Sequence, residues 1–237
     1  MAFIESQQNP GIVAEVDVTH RAERMSLRPL EHQTLQGKVL GHYRFAARSG
    51  ALTGTGVTAG GPLFSLRWGD ATNFLVLTYL SAQYVPTVLF TAFQELGLDA
   101  AIVRGFTVAD TAGTAITLTG NSNKTRTAMA PSLVSDLRIG ATTILTASGS
   151  KTVDGQPFAA GSGGVNQVNA AAATAYINPS YGAIPYGFSW EANAARGEHP
   201  IVLAANEGIN VRNAVVFPAA GTAVLIVNMA WAEVAAY

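Results

Sequence analysis

Twenty-four consecutive residues, Ala71 to Gln94, carry no charge. A run of that length could cross a bilayer as a helix, so its assignment constrains everything else. It contains Asn73, Ser81, Gln83, Pro86, Gln94 and four Thr, and its centre is Phe74-Leu-Val-Leu-Thr-Tyr-Leu80. Aromatic and β-branched residues of that kind favour strands. Short runs apolar on both faces fit strands covered on both sides. The run is therefore expected to supply buried strands, and no membrane segment is expected.

The rest of the chain repeats the pattern of short apolar runs between turn residues. Candidate strands are 39–48, 63–68, 74–80, 100–106, 115–119, 133–139, 142–146, 201–205, 209–217 and 223–234. Breaks such as Gly60-Gly61-Pro62, Gly120-Asn-Ser-Asn123 and Pro218-Ala-Ala-Gly221 separate them. Strands at this spacing predict an all-β sandwich or barrel. Asn206-Glu207-Gly208 between two apolar runs has the composition of a hairpin turn. Residues 87–96 predict one short helix, because Val88, Phe93 and Leu96 approach helical spacing and Gly97 suits a C-cap. In the last run Leu225, Val227, Met229 and Trp231 share one face, while Val224, Ile226, Ala230 and Val234 share the other. One face can form the core; the second then needs a partner.

Charge divides the chain. Residues 1–36 hold eight of the 29 charged residues, leaving 21 for the other 201. The first part is expected to be an extended N-terminal arm (1–36), and residues 37–237 a β-sandwich body with a long Gly/Ala/aromatic loop over 148–190. Only 12% of the residues are charged, about half the usual share. A surface so poor in charge is expected to be covered, most simply by another protein subunit. The near-zero net charge of −1 argues against binding nucleic acid through an overall field. The first ten residues lack a basic start and an apolar stretch, so no secretory signal is expected.

Motifs that carry chemistry are missing. The chain has no Cys, which removes disulfides, thiolate catalysis and cysteine-ligated zinc. Lys38 is followed by Val39 and is not preceded by a phosphate-binding glycine loop, and Gly54–Gly60 has one residue too many for a dinucleotide turn. His20, His32, His42 and His199 show no metal-ligand spacing. The chain is expected to be no enzyme, with no metal and no cofactor. Tyr176, Tyr181, Tyr186 and Trp190 cluster in a Pro-rich stretch and, with Trp231, are candidates for a subunit interface, where aromatic residues are enriched. A sugar-stacking platform is the other reading of that stretch.

Gly41-His-Tyr-Arg-Phe-Ala-Ala-Arg-Ser-Gly-Ala-Leu52, Pro62-Leu-Phe-Ser-Leu-Arg-Trp-Gly69, Ala109–Asn121, Glu198–Ile209 and Trp231-Ala-Glu-Val234 together resemble a family of tailed-bacteriophage and prophage virion structural proteins. The resemblance covers most of 37–237. It implies a β-rich body of jelly-roll kind, assembled on a particle, and it supplies no catalytic residues. The expectation is a jelly-roll-like capsid cement or decoration protein, made in the host bacterial cytoplasm and placed on the capsid surface. Its partners would be the major capsid protein and its own copies, as a homotrimer. Arg21, Arg24 and Arg28 in the arm are the candidates for contact with acidic capsid patches. The alternative is a tail-fibre or receptor-binding knob that meets a host surface glycan.

Overall fold

The structure is a computed structural model. It describes residues 2–5, 13–17, 22–23, 39–88, 90, 94–118, 123–134, 136–165, 186–192, 198–217 and 221–237. The chain divides into two units, Met1–Thr34 and Leu35–Tyr237. The first holds three short strands, β1 (Ala2–Glu5), β2 (Val13–Asp17) and β3 (Ala22–Glu23), paired antiparallel in chain order.

The second unit is a β-sandwich. Its strands are β4 (Val39–Arg48), β5 (Leu52–Thr53), β6 (Pro62–Trp68), β7 (Phe74–Val88), β8 (Gln94–Arg104), β9 (Thr114–Ala115) and β10 (Asp136–Ile139). They continue with β11 (Thr152–Val153), β12 (Ala159–Val165), β13 (Gly187–Glu191), β14 (Ile201–Leu203), β15 (Glu207–Asn213) and β16 (Thr222–Val234). One sheet runs β13-β7-β16-β4, with β14 also on β7 and β5 on β16; the other runs β11-β8-β15-β6-β10-β9, with β12 also on β8. The pairing is nested. β4 pairs with β16, β6 with β15, β7 with β13 and β14, and β8 with β12, all antiparallel. First strand with last, second with second-last, split between two sheets: this is the order of a jelly roll.

Alternation explains the core. Along β16, Ala223, Leu225, Val227, Met229 and Trp231 point inward and are buried; along β7, Leu75, Leu77, Leu80, Ala82 and Tyr84 do the same. They meet Phe64, Leu66 and Trp68 of β6, Leu96, Leu98 and Ala100 of β8, and Ile209 and Val211 of β15. Each Val, Leu, Ile, Phe or Met among them contributes roughly 1.5–3 kcal/mol of transfer free energy when fully buried. The uncharged run thus forms the 15-residue β7, at the centre of its sheet. Among the described residues no helix is long and apolar enough to cross a membrane.

Four expectations are corrected. No helix forms over 87–96 in the described residues: Thr87 and Val88 end β7, and Gln94 to Leu96 begin β8. Val88 pairs with Thr222 and Leu96 with Gly163, and a single helical turn or two cannot compete with strands already paired. The only helical element described is a 3-10 turn at Gly54–Gly56. The two runs around Asn206 are not a hairpin, since β14 joins β7 in one sheet and β15 joins β6 and β8 in the other. Their tight turn is a crossing between sheets, closed by Ala204 N–H donating to Glu207 Oε2 at 2.9 Å. Residues 142–146 form no strand, only a single bridge from Thr146 to Thr111.

The fourth correction concerns residues 148–190, which contain β11, β12 and β13 rather than one loop. Strand β12 reads Ala-Ala-Gly-Ser-Gly-Gly-Val, a composition with little intrinsic strand preference. Its glycines are required by close approach. A Cβ on Gly161 would lie 2.0 Å from the Gly187 carbonyl oxygen, and one on Gly187 would lie 2.0 Å from that of Ala82. Here β12 and β13, edge strands of opposite sheets, come into backbone contact.

Segment 123–134 is latched to the body by a buried carboxylate. Glu233 is 0% exposed. Its Oε1 accepts from Ser132 Oγ at 2.6 Å and Trp231 Nε1 at 3.1 Å, and the Leu133 N–H donates to Oε2 at 3.0 Å. Next to it, the Tyr43 hydroxyl donates to the Ala130 carbonyl at 2.9 Å, and its ring stacks on Trp231 at 5.6 Å. Burial, and secondarily the nearby Glu233, push the Tyr43 phenol up to about 12. Burial also raises Tyr84, whose hydroxyl donates to Asn213 Oδ1 at 2.8 Å.

Two predictions follow from this architecture. A phenol whose folded pKa exceeds its unfolded value of about 10 resists ionisation in the fold, so its stabilisation is complete below pH ~10 and is lost as pH rises towards ~12. Urea unfolding should therefore show stability falling across that window. Tyr43→Phe should cost about 1 kcal/mol at pH 7 and make the alkaline decline shallower; an unchanged decline would refute the assignment. Gly187→Ala should lose about 1–3 kcal/mol, whereas Gly155→Ala, with nothing within 4 Å of the added Cβ, should stay within about 0.5 kcal/mol.

Candidate binding face

The two sheets differ in what lies on their outer sides. On the second sheet, outward-facing Leu63, Ser65, Ala101, Val103 and Asn210 are all buried. Loop residues cover them: Phe106 sits against Gly208, and Arg138 Nη1 donates to the Ala112 carbonyl at 3.0 Å. The outer side of the first sheet is open along its middle.

Register places the open side chains in rows. Arg44, Ala230, Tyr79 and Glu191 lie across β4, β16, β7 and β13; the next row is Ala46, Asn228, Ser81 and Ser189. A depression of about 360 Å³ is lined by Arg44, Ala46, Tyr79, Asn228 and Ala230. Its floor is low because two cross-strand positions are alanine. Its walls are a guanidinium, a phenol and a carboxamide. Tyr79 reaches the surface through a bulge: the register slips between Ala230 and Trp231, so that Leu77 and Leu80 both stay inward while Thr78 and Tyr79 fall between them. Bulges re-aim side chains in this way. Thr78 Oγ1 secures the irregularity by donating to the Ala230 carbonyl at 3.0 Å.

Local hydrogen bonds orient the face. Asn228 Nδ2 donates to Ser81 Oγ at 3.1 Å, and Ser189 Oγ donates to the Tyr79 hydroxyl at 3.4 Å. Arg44 and Arg48 both point outward from β4 and are exposed. Neither has an ion-pair partner among the described residues. The arrangement suits hydroxyl-rich and carboxylated ligands, which a free guanidinium, an amide and a phenol can hydrogen-bond. The described residues contain no group of three or more His, Asp or Glu able to hold a metal.

The candidates read from sequence fare differently. Arg21, Arg24, Arg28, Tyr176 and Tyr181 lie outside the described residues. Trp231 is corrected: it is 1% exposed, stacked on Tyr43, and belongs to the core. Tyr186 is also corrected, being 4% exposed beside β12 with a left-handed φ of 62°. Strand alternation sends Trp231 inward, and Tyr186 packs its ring against Gly163 in the turn before β13, so neither is available to another subunit. Trp190 is half-buried, with its ring edge-on to Phe158 at 5.4 Å.

The second face of β16 is partly satisfied within the chain. Val234 is fully buried with Val76 and Ala232, packed by Val39, Phe74 and Val202, whereas Val224, Ile226 and Ala230 remain half-exposed. Arg44 and Tyr79 were missed in the sequence. The alternation of Tyr43 and Phe45 with Arg44 and Ala46 points to the first; nothing in sequence points to the bulge that exposes the second.

No protein-family model matches the chain, and no curated protein or solved structure is significantly similar to it.

Proposed function

We propose that this chain is a bacteriophage virion structural protein, a capsid cement or decoration protein that stabilises the head by binding across capsid subunits. The observation that carries this reading is the division of the chain: a jelly roll that closes its own core, joined to a separate N-terminal unit of residues 1–34. On this reading, residues 1–34 are the part of the chain that engages a neighbour. The low charge of the chain fits a surface partly covered by the major capsid protein and by further copies, and the half-exposed Val224 and Ile226 with the 41%-exposed Val85 are apolar area of the sort an interface takes up. Jelly rolls also serve unrelated roles, so the fold alone does not decide between them.

The second reading, a receptor-binding knob, is favoured by the depression between Arg44, Tyr79 and Asn228, whose chemistry fits a surface glycan. The two readings separate in one experiment. Purified protein is sedimented with heads that lack it, beside a deletion of residues 1–36. Cement activity predicts saturable head binding that the deletion abolishes while the body stays folded. Arg44→Ala and Tyr79→Ala should leave this binding intact. Failure to bind heads, together with retention on host cells that Arg44→Ala and Tyr79→Ala abolish, would replace the cement reading with the knob.

A further inference from the structure

Lys is scarce here, with Lys38, Lys124 and Lys151 against eleven Arg, yet one of the three is buried. The Lys151 side chain is 6% exposed and that of its partner Asp110 is 0% exposed. Lys151 Nζ contacts Asp110 Oδ1 and lies over the Phe106 ring, 4.3 Å from its centroid. The Ser148 N–H donates to the same Oδ1 at 3.3 Å. The other oxygen, Oδ2, is buried without a hydrogen-bond partner.

As a plain ion pair this is poorly built. A buried pair is retained when its remaining lone pairs are satisfied, and here one carboxylate oxygen is left bare. The backbone around it is fixed: Thr111 and Thr146 exchange two hydrogen bonds, at 2.9 and 3.0 Å, one residue beyond Asp110 and two before Ser148. Amine and carboxyl are therefore held together on two clamped loops, with water excluded. Such positioning turns a bimolecular reaction into an effectively unimolecular one.

We propose that Lys151 and Asp110 condense into an intramolecular isopeptide bond, an amide between Nζ and the Asp110 Cγ. The ammonium first gives a proton to the carboxylate it contacts, and that proton ends on Oδ2, leaving a neutral amine and a neutral acid. The Nζ lone pair adds to Cγ, and the carbonyl electron pair moves onto Oδ1, where the Ser148 N–H stabilises it. Nζ then gives up a second proton to Oδ2, the Cγ–Oδ2 bond breaks, and the carbonyl at Oδ1 re-forms. One water leaves, carrying Oδ2 and both protons. Two opposite charges disappear, and no oxidant or further reactant is consumed. The product keeps the Ser148 hydrogen bond on Oδ1 and removes the bare oxygen.

The test is the intact mass of the denatured full-length protein, followed by a tryptic map. The expected mass is one water below that of the sequence. Trypsin should not cut after Lys151, and one branched peptide should join residues 105–124 to residues 139–196. Lys151→Arg and Asp110→Ala should restore the unreduced mass, whereas Asp110→Asn should form the same amide with loss of ammonia. A wild-type mass equal to that of the sequence, with cleavage after Lys151, would overturn the proposal and leave an ion pair. Loss of water mapped instead to a cyclised Asp154-Gly155 would overturn it equally.

Discussion

The pairing of β7 with β16 is the contact on which the rest of the body depends. It runs from Thr222 against Val88 to Val234 against Phe74, nearly the whole length of both strands. Two long, almost uncharged strands side by side present a continuous apolar inner surface, and burying that surface is the largest favourable contribution available to this chain. The remaining strands are placed by it. β4 takes the free edge of β16, β13 and β14 take that of β7, and the second sheet closes over the inward side chains. The same pairing generates the outer depression, because the slip between Ala230 and Trp231 that keeps both strands facing the core also turns Tyr79 outward.

Strand β4 was legible to the residue because Tyr43, Phe45 and Ala47 alternate cleanly with polar or small neighbours. The span of β16 was legible because its apolar run ends in turn residues. Strand β12 was not. Glycine-rich sequence looks like loop; what makes it a strand is its ladder with β8, and what demands glycine there is the close approach to β13, both contacts between segments far apart in the chain. The helix over 87–96 failed for a related reason: local spacing near 3.6 outlined it, but strand partners at both ends decide the conformation of Val88 and Leu96. The aromatic candidates show the same limit. Composition marks Trp231 and Tyr186 as interface residues, whereas strand parity sends Trp231 into the core and the turn before β13 buries Tyr186. Of the candidate face, only the outward arginines of β4 could be read from alternation.

The two sides of the sandwich use polar groups in opposite ways. Over the second sheet, loops add a layer in which polar groups are paired at depth or left bare, as at Asp110 Oδ2, Asn210 Oδ1 and Arg212 Nε. A bare buried atom costs more than a hydrogen bond typically returns, so these sites mark where the cover is held under constraint. On the open middle of the first sheet, Arg44, Tyr79 and Asn228 remain in contact with solvent, although Glu233 and Asn123 are buried towards the β4 end of that sheet. A binding partner therefore meets preformed donors on one side and a closed layer on the other.

The cations sharpen that contrast. In a chain with 14 Lys and Arg, the described ion pairs belong to the second sheet and its loops: Arg67 with Asp136, Arg104 with Asp154 and Glu207, and Lys151 with Asp110. Arg44 and Arg48, on the first sheet, have none. Segment 123–125 also runs along the outer edge of β4, where Arg44 N–H donates to the Asn123 carbonyl at 2.8 Å and Thr125 N–H to that of His42 at 3.1 Å, and Lys124 lies opposite Tyr43. Among the described residues, Arg44, Arg48 and Lys124 thus lie along or beside β4 without a described ion pair. Exposed ion pairs contribute little to stability, so leaving Arg44 and Arg48 unpaired costs the fold almost nothing. What it provides is a guanidinium pair in open solvent beside an apolar strip, a combination that attracts acidic surfaces at long range and can then bury area on contact. That geometry is compatible with both proposed readings, a capsid patch and an acidic glycan, and the two readings differ in whether residues 1–34 take part.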